Sequence, residues 1–477
     1  MYIIRAIRLI CMGLAVLLLM ACSRDSKPEI NTPANLPPFS LILSDLGDGS
    51  WQLNVTLTEP QAALMFSRSS ADYRRQTYTA LSEGARLERI GGFDTILFDP
   101  GIMQAQFKLV PFTQTLPADY TPFLPFTDGG LAVYLGAFEL LRVDSIDAVE
   151  ALQGNLDAWD GTQFDIPIEF KTKGTVLLSG KIFTDNAQAI INGSGPYAYI
   201  GPTVLVTGNS FSGVLDPGLP NWLVEDLDED LSELFFALET GFGRELKQKA
   251  SILFAFRGYE TDGFSNTGGA LPGGLLVLET SGNAMRNPNE RLRGYLQWFL
   301  THESAHLFQY LSDKDYADLE DSWIVEGGAN AITHSILADL DTIPDEIVQE
   351  RYRQGFTHCI GEIQNSSMAE ITRRRNQSHY DCGDFIFRIS EAALGDHNIF
   401  ELWDAIMAQS GAEETYNTAT YFETLRAHGV DEALVTRLEA FVEGPVIHPV
   451  KELQEMMEAV GIKADIKDGA LTSIAFP

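Results

Sequence analysis

From Phe39 to about Asp216 the chain alternates apolar and polar residues in short runs. Trp51-Gln-Leu-Asn-Val-Thr-Leu57 is the clearest, with every second residue apolar, as in a strand buried on one face. Thr95–Phe98, Ala105–Val110, Leu131–Leu135, Ile166–Phe170, Val176–Ser179 and Thr203–Val206 read the same way. Gly, Pro, Asp and Asn separate them, so the region is expected to be an antiparallel β-domain of sandwich type. Asp216-Pro-Gly-Leu-Pro220 then breaks the pattern. Beyond it, Trp222 to about Leu246 predicts a long helix, and Ser251–Phe256 and Gly274–Glu279 predict strands. The glycine-rich stretch Asn266–Gly274 lacks phosphate-loop spacing and reads as a plain connection.

A period near 3.6 takes over at Leu292, Tyr295, Leu296, Phe299 and Leu300, and continues through Leu307, Tyr310 and Leu311. Further helices are expected at Trp323–Leu337, Phe385–Leu394, Ile399–Ala408, Ala419–Ala427, Asp431–Val442 and Val450–Val460. No internal repeat or low-complexity tract is visible. Strands first and helices later give an α+β fold class, with a β-rich domain over residues 39–216 and a mainly helical one over 217–477.

The first residues obey a different logic. Arg5 and Arg8 precede the apolar stretch Leu9–Met20, which ends at Ala21-Cys22. A cationic start, an apolar stretch too short for a comfortable membrane span and a small residue at the break describe a secretory signal over residues 1–21. Leu19-Met20-Ala21-Cys22 resembles the bacterial lipobox, in which Cys22 becomes the lipidated first residue of the mature chain. The polar segment from Cys22 to Pro38 would then be the tether. Ser23 rather than Asp follows the cysteine, and resemblance to Gram-negative sorting rules implies the outer membrane. Cys359 and Cys382 are the cysteines left over, an even pair expected to form a disulfide in an oxidising compartment.

Charge narrows the partners. A formal net charge of -33 disfavours nucleic acid and adhesion to anionic lipid heads. The acidic run Glu225–Glu233 is the solvated face of a helix.

Chemistry enters at Thr301-His-Glu-Ser-Ala-His306. On a helix His302 and His306 share a face, so both imidazoles can reach one metal ion, with Glu303 beside them. The chain has 8 histidines, and chance would give such a pattern about once in a hundred chains of this kind. Twenty positions beyond His306, Trp323-Ile-Val-Glu326-Gly-Gly-Ala-Asn330 supplies a carboxylate on a second helix. A short connection, about Asp313 to Ser322, would fold that helix back so that Glu326 faces the imidazoles. Two imidazoles and a carboxylate form a protein donor set for one zinc ion with a position left for water. Such an ion lowers the pKa of water and polarises a carbonyl, and Glu303 would serve as general base.

His-Glu-x-x-His followed by Trp-Ile-x-Glu-Gly-x-Ala resembles the gluzincin metallopeptidases, especially the membrane alanyl aminopeptidase family, and Ala305 matches the His-Glu-x-Ala-His form common there. The resemblance implies a thermolysin-like catalytic domain, zinc on His302, His306 and Glu326, Glu303 as base and a peptide or protein substrate. The spacing is one residue longer than usual in that family. His379-Tyr-Asp-Cys-Gly383 resembles the family's Tyr-x-Lys-Gly segment, which implies Tyr380 as the donor to the developing oxyanion, with His379 as the other possibility. Cys382 replaces the lysine. A β-domain ahead of the catalytic one, and Tyr197-Ala-Tyr-Ile-Gly-Pro202 upstream of the boundary, also fit. The family's Gly-x-Met-Glu-Asn strand, whose glutamate grips a substrate's free amine, has no match. The corresponding place is expected at Gly273–Glu279. Endopeptidase action is therefore open alongside exopeptidase action.

Two other classes compete: a lipid-anchored binding protein that keeps zinc for structure alone, and a non-enzymatic β-scaffold. A structural site has no use for Glu303, and a scaffold leaves the convergence of His302, His306 and Glu326 unexplained. His334, His358, His397, His428 and His448 are scattered and are expected to play no metal role.

Overall fold

The computed structural model describes residues 37–477 except 115, 117–118, 194–195, 203–204, 226, 272, 341, 375–376 and 396. The signal segment, Cys22 and almost all of the tether lie outside the described residues, as do Thr203 and Val204.

The alternation at the start of the chain does fold as strands. Trp51–Leu57 buries every second residue, and its neighbour Phe39–Asp45 does the same almost to its end. They pair antiparallel in a nine-stranded sheet, Phe39 opposite Leu57 and Asp45 opposite Trp51. One pairing departs from the antiparallel expectation: Phe39–Asp45 runs parallel to Ile166–Leu178, Leu41 opposite Ile168. A four-stranded sheet of Leu140–Val143, Ala63–Phe66, Phe93–Phe98 and Ala85–Ile90 packs against the larger one. Phe39, Val55 and Phe170 of one sheet share a core with Phe66, Ile96 and Leu140 of the other. Ile166–Phe170 and Val176–Ser179, expected as separate strands, belong to one strand from Ile166 to Leu178, whose register slips between Lys171 and Thr175. Gly174 lies in that interval at φ 142°, open only to a residue without Cβ, and supplies the irregularity.

A five-stranded sheet follows, in the order Leu205–Thr207, Phe211–Leu215, Ala250–Phe256, Leu275–Ser281 and Ser265–Leu271. Its first two strands precede Asp216, so the run expected around Val206 hydrogen-bonds into this sheet and not into the sandwich. Every residue of Ala250–Phe256 is buried, as in a central parallel strand covered on both faces. Leu253 and Ala255 point to the sandwich, whereas Ile252 and Phe254 point to the helices. The carboxylate of Asp216, 1% exposed, accepts from the amides of Thr127, Gly218 and Phe256 and from the Thr127 hydroxyl. It therefore ties a sandwich loop to the central strand.

The glycine-rich stretch is not a plain connection. Ser265–Leu271 is the sheet's edge strand, antiparallel to Leu275–Ser281. Glycine is required by close approach: a Cβ on Gly268 would lie 2.1 Å from the carbonyl oxygen of Val277.

Helices cover the other face of the sheet. The long helix expected from Trp222 is broken into Asn221–Val224 and Leu227–Phe242. Glu290–Gln309 starts at Asn289, whose side chain accepts from the amide of Leu292 at 2.9 Å. Ser322–Leu340 packs beside it, and Ser378–Leu394 packs against Ser322–Leu340. Helix Asp345–Ile363 and the hairpin Lys463–Lys467 with Ala470–Ala475 were not legible to the pattern reading. No helix among the described residues is long and apolar enough to cross a membrane.

Candidate metal centre and cleft

His302 and His306 sit one turn apart on Glu290–Gln309, both under 5% exposed. Glu326 enters from Ser322–Leu340. Its Oε2 lies 3.4 Å from Nε2 of His302 and 3.2 Å from Nε2 of His306, and the two Nε2 atoms are 3.2 Å apart. Ligands at zinc bonds of about 2.0–2.1 Å in tetrahedral directions would be roughly 3.3 Å apart. The three atoms thus already stand as the corners of one face of such a tetrahedron. Glu326 Oε2 is buried with no hydrogen bond among the described residues. Donor chemistry, spacing and this orphaned oxygen all fit zinc.

A second set of contacts aims the ligands. Nδ1 of His306 donates to Oε1 of Gln309 at 2.7 Å, and Nε2 of Gln309 donates to the carbonyl of Val325 at 3.0 Å. One buried amide thus fixes the imidazole tautomer and ties the histidine helix to the residue before Glu326. Trp298 stacks on His302 at 5.2 Å, Tyr380 stacks on it at 5.9 Å, and Tyr310 stacks on His306 at 5.9 Å.

Burial works against a charged His306, yet Glu326, Glu303 and Gln309 outweigh it and raise its pKa to about 9. Burial likewise opposes ionisation of Glu326, and the two imidazoles overcome that and hold it well below the usual carboxylate range. Glu303 moves the other way, raised chiefly by burial, with the imidazoles and the Ala270 amide opposing. Such a set of two imidazoles around a carboxylate would take up a divalent cation in place of a proton.

Glu303 faces the edge strand, where its Oε2 accepts from the amide of Ala270 at 2.9 Å. A Cβ at Gly269 would reach within 3.7 Å of the same oxygen, so the glycine-rich strand lets backbone pass close to the carboxylate. Glu279 is not in this position. It lies on the neighbouring strand and pairs with Arg257 at 2.8 Å, so the place facing Glu303 is Ser265–Leu271 and not Gly273–Glu279. That edge strand carries no acid.

Tyr380 opens Ser378–Leu394 and lines the same cleft as His302 and Glu303. Burial and then the nearby Glu326 carboxylate raise its pKa. His379 is buried edge-on to Tyr380. Cys359 and Cys382 are joined as a disulfide, which links Asp345–Ile363 to the Tyr380 helix. Sequence reasoning missed Trp298, Gln309, Tyr310 and the Ala270 amide. The first three had a signal, since they fall at helical spacings from His302 or His306. The amide had none.

No family model and no curated protein matches the sequence. Solved structures do resemble it in fold. A protein of the aminopeptidase N family from Idiomarina loihiensis superposes with a TM-score of 0.63 at 12% identity, covering 87% of this chain and 78% of that one. An M1 zinc metallopeptidase from Deinococcus radiodurans gives 0.47 at 15% identity, over 86% and 94%. Leukotriene A4 hydrolase from Saccharomyces cerevisiae gives 0.47 at 11%, over 87% and 69%. The chain has the mixed α+β architecture of the M1 aminopeptidases, a β-rich region followed by a helical one.

Proposed function

We propose that this chain is a zinc-dependent peptidase, anchored to a membrane by a lipid on Cys22. The observation that carries the peptidase reading is the convergence of three ligand atoms from two helices, with the Glu303 carboxylate in the same cleft. One zinc ion on His302, His306 and Glu326 would act as a Lewis acid on a substrate carbonyl and lower the pKa of water. Glu303 takes the proton from the attacking water and hands it to the leaving amine. Its raised pKa suits a group that must both accept and release. Tyr380 donates to the carbonyl oxygen as negative charge grows there, and its raised pKa keeps it a donor. The edge strand, with Ser265, Thr267 and Gly268 exposed, can pair with an extended peptide backbone. The substrate is a peptide or protein, not nucleic acid. The lipobox-like segment and Ser23 support an outer-membrane lipoprotein facing the periplasm or the cell surface.

The test is metal content and turnover of the full chain beside His302→Ala, Glu326→Ala and Glu303→Gln. About one zinc per chain is expected in the parent, with clear loss in the first two variants. Glu303→Gln should keep zinc and lose at least about 10²-fold in turnover. A parent without metal, or a Glu326→Ala protein that holds zinc as well as the parent, sinks the proposal.

A further inference from the structure

The cleft that holds His302 and Glu303 is also lined by Arg351, Gln354 and His358 of helix Asp345–Ile363. The guanidinium of Arg351 lies 3.8 Å over the ring of Trp298, which in turn stacks on His302 at 5.2 Å. Guanidinium, indole and imidazole thus form one stack that ends at the metal centre. An aromatic face holds a guanidinium by its quadrupole and leaves the edge with its N–H donors free.

Acids outnumber bases 66 to 33 in this chain, so most cations find a carboxylate. On the same helix Arg353 contacts Glu346 and Glu350, and on Ser378–Leu394 Arg388 contacts Glu391. Arg351 has no carboxylate at ion-pair distance and no hydrogen bond among the described residues. The acids whose field reaches it are Asp381 and Asp384. Neither lies at ion-pair distance from it; Asp381 contacts His358 at 3.2 Å and Asp384 contacts His334 at 3.1 Å. Burial opposes the charge on Arg351, yet an arginine stays charged. A partly desolvated cation without a partner is costly, and an anion arriving in the cleft would recover that cost.

We propose that Arg351, braced on Trp298, binds a carboxylate of the substrate and so sets which peptides this cleft accepts. The proposal deepens the peptidase reading and rests on it. An extended peptide advances about 3.3 Å per residue, so a cation one ring beyond Trp298 from His302 would meet a substrate residue away from the scissile bond and not the bond itself. That carboxylate can belong to an acidic side chain or to the substrate's own C-terminus.

Matched peptides separate these sources. One pair differs only in Glu against Gln, the other only in a free C-terminus against its amide. The ratio of kcat/KM for acid over amide is measured in the parent, in Arg351→Gln and in Arg351→Lys, with thermal unfolding recorded for each. In the parent, one pair should favour the acid by about ten- to a hundredfold, as for a charge-assisted hydrogen bond. The ratio should fall to near one in Arg351→Gln and to an intermediate value in Arg351→Lys, which also carries the comparison if the glutamine variant fails to fold. The pair that responds identifies the source. Ratios near one for both pairs in the parent, or a preference that survives Arg351→Gln, overturn the proposal. If the parent cleaves nothing, the peptidase reading has failed separately, and the same pairs are titrated by calorimetry. Tighter binding of the acid that disappears in Arg351→Gln then upholds carboxylate recognition, and equal or absent binding refutes it.

Discussion

Replacing Gly327 by alanine should weaken the metal centre without touching a ligand. Helices Ser322–Leu340 and Ser378–Leu394 cross at Gly327 and Gly383. A Cβ at position 327 would lie 2.5 Å from both the Cα and the carbonyl carbon of Gly383, and 3.0 Å from the amide nitrogen of Asp384. Carbon atoms prefer about 3.5–4.0 Å, so the helices must part by roughly 1 Å. All three obstacles are backbone, so no rotamer change relieves them. Overpacking of this kind costs about 1–3 kcal/mol, and the better helix propensity of alanine returns up to about 1 kcal/mol. Net destabilisation of about 1–2 kcal/mol is expected by urea unfolding. The displacement also acts on function, because Glu326 is the preceding residue and Tyr380 lies one turn before Gly383. A shift near 1 Å would cost on the order of 10²-fold in rate and should weaken zinc in competition with a chromophoric chelator. Gly361→Ala is the matched control, since a Cβ there meets nothing within 4 Å in helix Asp345–Ile363. It should stabilise by about 0.5–1 kcal/mol. A Gly327→Ala protein as stable as the parent, with unchanged zinc affinity, would refute the claim that this crossing sets the ligand geometry.

Two further outcomes are expected. Gln309→Leu removes the acceptor of His306 Nδ1 and the tie to Val325, so zinc affinity should fall about 10- to 100-fold while the folded state persists; an unchanged dissociation constant would show that the imidazole is aimed by its stacking alone. Reducing the Cys359–Cys382 disulfide, or replacing both cysteines by serine, opens a loop of sequence separation 23 and should cost about 3 kcal/mol in chemical unfolding. A shift well under 1 kcal/mol would mean that helix packing already restrains that loop.

Much of this was legible because the residues announce their spacing. His302, Glu303 and His306 are fixed by the helical period, and Glu326 by a second helix after a short connection. The edge strand was not legible. Three of its residues, Asn266, Gly268 and Gly269, are poor strand formers, and glycine is there because backbone must come close to Val277 and Glu303. That is a tertiary demand, invisible to periodicity. Helix Asp345–Ile363 was hidden by its charges, although Tyr352, Gly355, Phe356, Cys359 and Ile363 form a buried stripe at helical spacing. The terminal hairpin did carry a local signal, since Asp468-Gly469 turns with φ of 52° and 81°, both left-handed.

The same geometry explains why the centre needs so much bracing. Two carboxylates and two imidazoles are drawn into one buried cluster, and burial alone would drive both acids neutral. Glu326 is held well below the usual carboxylate range because the imidazoles face it at 3.2–3.4 Å, whereas at Glu303 burial outweighs the imidazoles and the Ala270 amide and the pKa is raised. Under the proposed function one carboxylate would hold a cation and the other would move a proton, and that division depends on distance. Were Glu326 free to withdraw by an ångström or two, the difference between the two acids would shrink. The Gln309 bridge ties together the two helices that set that distance, the Gly327–Gly383 crossing seats one of them against Ser378–Leu394, and the disulfide anchors that third helix in turn. The bracing is therefore what divides the chemistry between two otherwise similar side chains.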